Sequence, residues 1–479
     1  MLKQKQRNKV RSTIALLAIF VLVFSSGCAD KGGTQAAKDA YKNVKLSIWS
    51  VWDDETAMSG IMKAYQAEHP NVSFDYKKFR YEEYEPILLT ALAEGRGPDI
   101  FSIHNTWMER HKEKIEPFPD KVTIPVKSFT GTIKKEEVIE LIPKKIITEL
   151  EVKKKFLDVV YNDVVMNTDV GTGLTNKTVK KVYGLPLSLD TLVMFYNKDL
   201  MKNSGIPEPP TTWTDFQKHV KLITKVDPKT SEILISGASI GTADNVPRAF
   251  DILSVLMMQS MAVMTDSYGQ PAFNQRASDA SIEGIPGITA LSFYTQFSNP
   301  LFDSYSWNNA MPDATEAFMK GRVGYFFGYS YNRDQFRAQA PKLSFGIAPI
   351  PQLNDQQKSN YANYWVSVVS KSSKNKNYAF DFLQYMVDEK NVEKFLDAAE
   401  RNTALRSSAL ISKELQTEDL SAGADQLLTA KSWYRGANVA GAEQAFKDLI
   451  NTVMRNEMPP VKALEQAIEQ VSFSMRPQF

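Results

Sequence analysis

Residues 44–52, VKLSIWSVW, are an alternating run of β-branched, aromatic and polar side chains, which is typical of a β-strand. Two later stretches, NVSFDYKKF (71–79) and GPDIFSIH (97–104), have the same character. The residues between them, 54–68 and 85–95, place apolar side chains at helical spacing. This alternation of strands and helices predicts an α/β fold with a mainly parallel sheet and helices on both faces.

The first 27 residues have the pattern of an export signal. Residues 1–13 contain five basic side chains and no acidic one, and residues 14–24 are apolar throughout. Small residues at 25–27 then precede Cys28, the only cysteine of the chain. The apolar stretch is too short to cross a bilayer, which takes about 20 residues. We therefore predict a secretory signal peptide over residues 1–27.

Cys28 itself resembles the cysteine of a bacterial lipobox. In such signals the chain is cut before the cysteine, whose sulfur then receives diacylglycerol. One departure is Ser25, because the position three before the cysteine is usually leucine. We expect Cys28 to hold the protein on the outer face of the cytoplasmic membrane, with residues 28–43 as a flexible tether. The alternative is an ordinary signal peptide cut nearby, which leaves Cys28 unmodified.

Composition excludes several functional classes. The formal charge of +2 includes the five basic residues of the signal, so the remainder carries about −3. No basic patch with interleaved aromatic residues is present, so we expect no nucleic-acid partner. About 450 residues remain after the signal, enough for two or three domains. Residues 120–160 are lysine-rich and amphipathic, which we interpret as a partly helical insertion on a solvated face.

The sequence offers little support for catalysis. The motifs of serine hydrolases, zinc proteases and nucleotide-binding folds are absent. His104 and His111 are seven residues apart, too far along a helix to share one metal ion, and we expect both at the surface. We therefore expect no enzyme, no cofactor and no metal site. Asp53, Asp54 and Asp190 remain conceivable as carboxylates for glycoside hydrolysis.

Four segments in a fixed order point to a family. In chain order they are ALAEGRGPDIF (91–101), YGLPLSLDTLVMFYNKDLMKNSGIPEPPTTWTDF (183–216), AFMKGRVGYFFGYS (317–330) and YWVSVVSKSSKNKNYAFDFLQYM (364–386). Together they resemble the extracellular solute-binding proteins of ABC importers, in the class of maltose-binding and other sugar-binding proteins. The second segment is the most specific, and the resemblance covers nearly all of residues 44–470.

The resemblance implies a two-lobed periplasmic-binding-protein-like fold (type II), with a ligand cleft between lobes joined by a hinge. Lobe 1 is expected to comprise residues 44–189 plus 366–403, and lobe 2 residues 190–365 plus 404–479. Open α/β sheets bind ligands beyond the carboxyl ends of their strands, which agrees with such a cleft. The implied partners are a small solute and the transmembrane subunits of an ABC permease, with the protein itself a monomer.

A carbohydrate has hydroxyls at its edge and weakly polar C–H faces, so its site needs aromatic rings beside carboxylates or amides. The resemblance places ten candidate ligand contacts in the cleft: Trp52, Asp53, Asn105, Thr106, Asp190, Tyr329, Tyr331, Trp365, Trp433 and Arg435. The alternatives are a core position for Trp52, a helix cap for Asp53 and a hinge-capping carboxylate for Asp190. Trp213 is assigned to interior packing.

The expected function is capture of a carbohydrate by closure of the two lobes, followed by delivery to the permease. Two alternatives stay open. The solute could be a peptide, a polyamine or an anion, and an anion would need arginines such as Arg248 or Arg435. The same fold could also serve as a tethered sensor or adhesin.

Overall fold

The computed structural model describes residues 35–131, 135–171, 175–276, 283–353 and 357–476. Cys28 and the predicted signal peptide lie outside these ranges. The strands are β1 (Val44–Ser50), β2 (Val72–Lys78), β3 (Ile100–His104), β4 (Lys121–Thr130), β5 (Glu136–Lys145), β6 (Val165–Val170), β7 (Lys177–Val182), β8 (Asp190–Thr191), β9 (Val193–Asn197), β10 (Lys225–Val226), β11 (Ile233–Ala238), β12 (Val323–Gly328), β13 (Phe345–Ala348), β14 (Asn360–Asn363), β15 (Trp365–Val369) and β16 (Ala430–Lys431).

Helices connect most of these strands. They are α1 (Gln35–Ala40), α2 (Glu55–Glu68), α3 (Tyr81–Ala93), α4 (Met108–His111), α5 (Glu149–Lys155), α6 (Asp158–Val164), α7 (Lys198–Asn203), α8 (Trp213–Ile223), α9 (Ala249–Gln259), α10 (Pro286–Thr295), α11 (Ala314–Met319), α12 (Ser330–Gln339), α13 (Lys376–Met386), α14 (Glu389–Ala399), α15 (Ser408–Leu415), α16 (Ser421–Gln426), α17 (Val439–Met454) and α18 (Pro460–Met475). Across the described ranges, none of them combines the length and apolarity that a membrane crossing requires.

Two sheets form the centres of two lobes. The first has the order β15-β3-β1-β2, with β1 parallel to both β2 and β3 and β15 antiparallel to β3. The second has the order β10-β11-β12-β9-β13 and is mixed, because β9 runs antiparallel to both of its neighbours. The predicted α/β class and the parallel pairing of the first three strands are confirmed.

Each lobe has its own hydrophobic core, and the residues of the two cores show which parts of the chain belong to which lobe. Lobe 1 takes its core from residues 46–189, 362–410 and 427–430. Lobe 2 takes its core from residues 192–361, from Ala422 and from residues 433–471. The division expected at residue 403 therefore lies later in the chain, because Leu405 and Leu410 bury their side chains against lobe 1.

A small third sheet lies where the chain passes between the lobes. It has the order β16-β14-β8, with Asp190 opposite Asn363 and Asn360 opposite Ala430. The chain crosses from one lobe to the other in three segments, near residues 190, 363 and 431, and the sheet joins these three segments by hydrogen bonds. This sheet is the hinge region of the molecule.

Two expectations about local structure need correction. Lys121–Thr130 and Glu136–Lys145 are not helical but pair as the long antiparallel hairpin β4–β5, and the first helix after them is α5. The alternation of valine and isoleucine with polar residues in this segment favours a strand over a helix. The tether 28–43 is also not flexible throughout, because α1 packs on this hairpin and buries Ala37.

Candidate functional site

A cavity of about 280 Å³ lies between the two lobes, beside the hinge. Lobe 1 supplies the residues that follow β1, β2 and β3 at their carboxyl ends. Lobe 2 supplies the N-terminal ends of α9, α12 and α17. This is the position that the strand topology predicts for a ligand.

The lobe 1 wall is aromatic. Trp107 is stacked on Tyr81 with ring centroids 6.2 Å apart, and meets Trp365 edge-on at 5.5 Å. Trp52, at the end of β1, is 37% exposed and lies above this cluster. Its ring is stacked on Tyr331 of lobe 2, with centroids 5.4 Å apart and planes 21° apart. Flat aromatic faces from both lobes therefore border the cavity.

The lobe 2 wall contains a buried charged group of three residues. Tyr329 donates its hydroxyl to Asp251 Oδ2 at 2.6 Å, and Arg248 Nε donates to the same oxygen at 2.8 Å. The Arg248 guanidinium also lies over the Tyr329 ring, 5.3 Å from its centroid. Burial and the neighbouring Asp251 carboxylate hold the pKa of Tyr329 well above its usual value. Arg248 thus has its charge compensated inside the protein.

Asp190 lies in the hinge sheet and also lines the cavity. Its Oδ2 accepts hydrogen bonds from the Ser330 amide at 2.9 Å and the Ser330 hydroxyl at 2.6 Å, and its Oδ1 accepts one from the Thr191 amide. Burial raises its pKa, and the hydrogen bonds from Ser330 and the charge of Arg401 oppose that rise. Because Ser330 begins α12, the carboxylate caps this helix as well as lining the cavity.

Two other carboxylates face the cavity, Asp53 from lobe 1 and Glu443 from lobe 2. Burial raises the pKa of both, and for Asp53 the charges of Arg401 and Lys78 oppose the rise. Within the described part of the chain neither has a hydrogen-bond or ion-pair partner. Asp53 does not cap α2, whose N-cap position is Asp54. Both carboxylates are available to accept hydrogen bonds from a solute.

His104 lies in the cavity wall and not at the open surface. Its Nδ1 is 2.7 Å from Thr106 Oγ1 and its Nε2 is 2.9 Å from Asn363 Oδ1 in the hinge. Burial lowers its pKa to about 4, so the ring is uncharged at neutral pH. His111 is also fully buried, 2.9 Å from Glu85 Oε1. The expected surface positions of both histidines are wrong, because each ring has a polar partner that compensates burial.

Three candidate residues do not line the cavity. Trp433 is 3% exposed, donates its Nε1 proton to Ser254 and packs against Phe446 in the lobe 2 core. Asn105 is buried beside the cavity wall and donates to Asp163 Oδ2 at 3.1 Å. Arg435 donates to Asp163 Oδ1 at 2.8 Å and so joins the two lobes. Trp433 and Arg435 are thus occupied by the protein's own packing and hydrogen bonds, while the buried Oδ1 of Asn105 has no hydrogen-bond partner among the described residues.

The structure brings the other seven candidates together around the cavity: Trp52, Asp53, Thr106, Asp190, Tyr329, Tyr331 and Trp365. Four further residues line it that were not among the candidates from the sequence: Tyr81, Trp107, Arg401 and Glu443. Tyr81 and Trp107 follow β2 and β3 closely, so the strand-end argument could have found them. Trp213 packs in the interior as expected, with its Nε1 proton donated to Gln259. Among the described residues, no group of histidine and carboxylate side chains is arranged to hold a metal ion.

Comparisons with known proteins agree with this geometry. The galactooligosaccharide-binding protein of Bacillus subtilis is 20% identical over 468 residues, covering 96% of each chain. The maltodextrin-binding protein MdxE of the same organism is 27% identical over 240 residues, which are 48% of this chain and 52% of MdxE. The structure of a cyclic α-maltosyl-1,6-maltose binding protein from Arthrobacter globiformis aligns with a TM-score of 0.65 at 18% identity, covering 90% of this chain and 98% of that one.

The last comparison confirms the two-lobed fold. The model of one protein family, described as bacterial extracellular solute-binding protein, matches residues 50–393, which include most of both lobes and two of the three chain crossings between them. The predicted family is therefore confirmed: the chain belongs to the bacterial extracellular solute-binding proteins.

Proposed function

We propose that the protein captures a carbohydrate in the cavity between its lobes and delivers it to an ABC-type permease. The observation that carries this proposal is the pairing of Trp52 and Tyr331, aromatic rings from opposite lobes stacked at the cavity. Asp53 and Glu443 add acceptors for hydroxyl protons beside these rings. Aromatic faces for the C–H surfaces and carboxylates for the edge are what a sugar requires.

The names of the relatives support the same solute class. The two B. subtilis proteins are described as binding galactooligosaccharides and maltodextrins. Both descriptions concern neutral oligosaccharides, which fits a cavity in which the charge of Arg248 is already compensated by Asp251. A solute shifts the lobes toward closure only by the amount that it binds the closed form better. The closed form would then dock on the permease, and ATP hydrolysis by a separate subunit would drive release.

An anionic solute is less well supported. Arg248 in the cavity wall already pairs with Asp251, and Arg435, which lies outside the cavity, pairs with Asp163. Arg401, which also lines the cavity, has the Asp334 carboxylate 3.7 Å away. Recruiting Arg248 or Arg435 would leave Asp251 or Asp163 buried without its counter-charge, which is costly.

Thermal unfolding of the full chain in mild detergent tests the proposal. The ligands are neutral mono- and oligosaccharides, with a peptide and a polyamine as comparison. A solute at about 100 times its Kd stabilises the folded state by about 2.7 kcal/mol, which is a readily measured shift. A shift with one saccharide class supports the proposal. A shift with the peptide or polyamine alone contradicts the carbohydrate assignment.

We also propose that Cys28 carries the lipid that keeps the protein at the outer face of the cytoplasmic membrane. The family is extracellular, and a lipoprotein is among the relatives, the maltooligosaccharide-binding protein of Streptococcus pneumoniae. The variant Cys28→Ala should appear in the medium or periplasm, whereas the parent stays with the membrane fraction. Retention of the variant on membranes contradicts the proposal.

A further inference from the structure

A second cavity of about 410 Å³ lies on lobe 2, next to the cavity between the lobes. The side chains of Arg248 and Tyr331 line both cavities, so the two share a wall. The volume of this second cavity is within the range of about 300–1,000 Å³ that is typical of small-molecule sites. We refer to it as the lobe 2 groove.

Two helices form the sides of the lobe 2 groove. Tyr331 and Gln335 are four residues apart on α12, and Thr315 and Met319 are four residues apart on α11. Residues at this spacing lie on the same face of a helix, about one turn or 5.4 Å apart. The groove therefore leads from Tyr331, at the mouth of the central cavity, along α12 to Gln335.

Like the central cavity, the lobe 2 groove is lined by both apolar and polar side chains. Pro247, Met319 and Phe326 supply apolar surface, and Asp313, Thr315 and Gln335 supply polar groups. Asp313 already caps α11 through the amides of Thr315 and Glu316. Within the described ranges, the Thr315 hydroxyl and the Gln335 amide nitrogen have no hydrogen-bond partner. Apolar side chains beside polar groups suit a sugar ring.

We infer that the lobe 2 groove is an additional carbohydrate subsite, so that the solute is an oligosaccharide with one end in the cavity and the next unit in the groove. This inference rests on the proposed function. Tyr331 lies at the junction, and its ring would then contact both parts of the solute. Thr315 and Gln335 would be specificity-determining residues that recognise chain length.

Calorimetric titration of the full chain in mild detergent provides the test. The probes are two ladders of di-, tri- and tetrasaccharide, one of α-1,4-linked glucose and one of β-linked galactose. We expect the parent to bind the longer members of one ladder about tenfold more tightly than the disaccharide, as two hydrogen bonds would give. The double variant Thr315→Ala/Gln335→Ala should lose this gain and keep its disaccharide affinity within about twofold.

The control is Gln339→Ala, one helical turn beyond Gln335 on α12 and exposed outside the groove. It should retain the full gain with chain length. Equal affinity for all members of a ladder in the parent overturns the inference and leaves the proposed function intact. An unchanged gain in the double variant also overturns it. Failure of the parent to bind either ladder also overturns the inference, whereas only the absence of a thermal shift with every saccharide of the panel contradicts the proposed function.

Discussion

Trp52 of lobe 1 and Tyr331 of lobe 2 are stacked across the mouth of the central cavity, with ring centroids 5.4 Å apart and planes 21° apart. Tyr331 packs against the lobe 2 core and Trp52 follows β1 of lobe 1, so their contact exists only while the lobes are close together. A solute that enters between the lobes must interact with one or both faces. This contact therefore connects solute binding to the relative position of the lobes.

We expect Trp52→Ala to lower the affinity for the carbohydrate about tenfold, because a stacked aromatic face contributes about 1 kcal/mol or more. The free energy of unfolding should fall by about 0.5–1.5 kcal/mol as well, because the ring is stacked on Tyr331 and only 37% exposed. Calorimetric titration and urea unfolding measure the two effects. Tyr268→Ala, at an aromatic residue that is 87% exposed outside the cavity, is the control and should bind as the parent does. Unchanged affinity in Trp52→Ala would remove this residue from the site.

Asp190 should influence stability as well as binding. Asp190→Ala removes the acceptor of both hydrogen bonds from Ser330 and of the one from the Thr191 amide. Donors left without a partner cost about 1–3 kcal/mol, so we expect a loss of that size in the free energy of unfolding. Asp190→Asn keeps one acceptor oxygen and should lose less. If both variants unfold at the urea concentration of the parent, the capping role of Asp190 is wrong.

Asp163 forms hydrogen bonds with the segment near residue 431 in which the chain crosses between the lobes. Its carboxylate, which is buried, accepts hydrogen bonds from Tyr364 Oη at 2.8 Å, from Ser432 Oγ at 2.6 Å and from Arg435 Nη2 at 2.8 Å. We expect Asp163→Ala to lower the free energy of unfolding by about 1–3 kcal/mol, because the buried Tyr364 hydroxyl loses its acceptor while Arg435, which is 42% exposed, can be hydrated. Urea unfolding measures the loss. A matched variant, Asp158→Ala on the same helix, removes a largely exposed carboxylate and should cost under 1 kcal/mol.

The part of the fold that the sequence alone predicts best is the set of strands in lobe 1. Their alternating residues specify strand faces locally, so β1, β2 and β3 could be predicted without a structure. The glycine of the motif YGLP is required for steric reasons, because a Cβ atom at Gly184 would lie 2.5 Å from Val366 Cγ1 in β15. Any larger residue at position 184 would therefore push β15 away.

The cavity could be predicted only in part, because its residues come from distant parts of the chain. Arg401 and Glu443 lie in helical or connecting segments with no motif around them. Trp433 aligned with a ligand contact of the family, yet here Phe250 and Phe446 enclose its ring within the core. Which face of a segment is buried depends on the partner that packs on it, and that partner is not visible in the local sequence.

Glu414 gives a prediction about pH. Its carboxylate accepts hydrogen bonds from Asn402 Nδ2 at 3.0 Å and from the Thr403 amide at 2.8 Å, next to the hinge. Burial raises its pKa to about 7, and these hydrogen bonds oppose the rise. The folded state therefore binds a proton that the unfolded state releases between about pH 4.5 and pH 7. The stability that this proton contributes is fully present below pH 4.5 and is lost as the pH rises through 7.

Glu414→Gln has no proton to lose at this position, so its free energy of unfolding should fall less between pH 4.5 and pH 7 than that of the parent. Urea unfolding at several pH values measures both profiles, and their difference isolates Glu414 from the other groups that titrate in this window. Glu418→Gln, whose side chain is 91% exposed, is the control and should follow the parent. Parallel profiles for parent and Glu414→Gln would mean that Glu414 titrates as an ordinary carboxylate, and burial would then not control its charge.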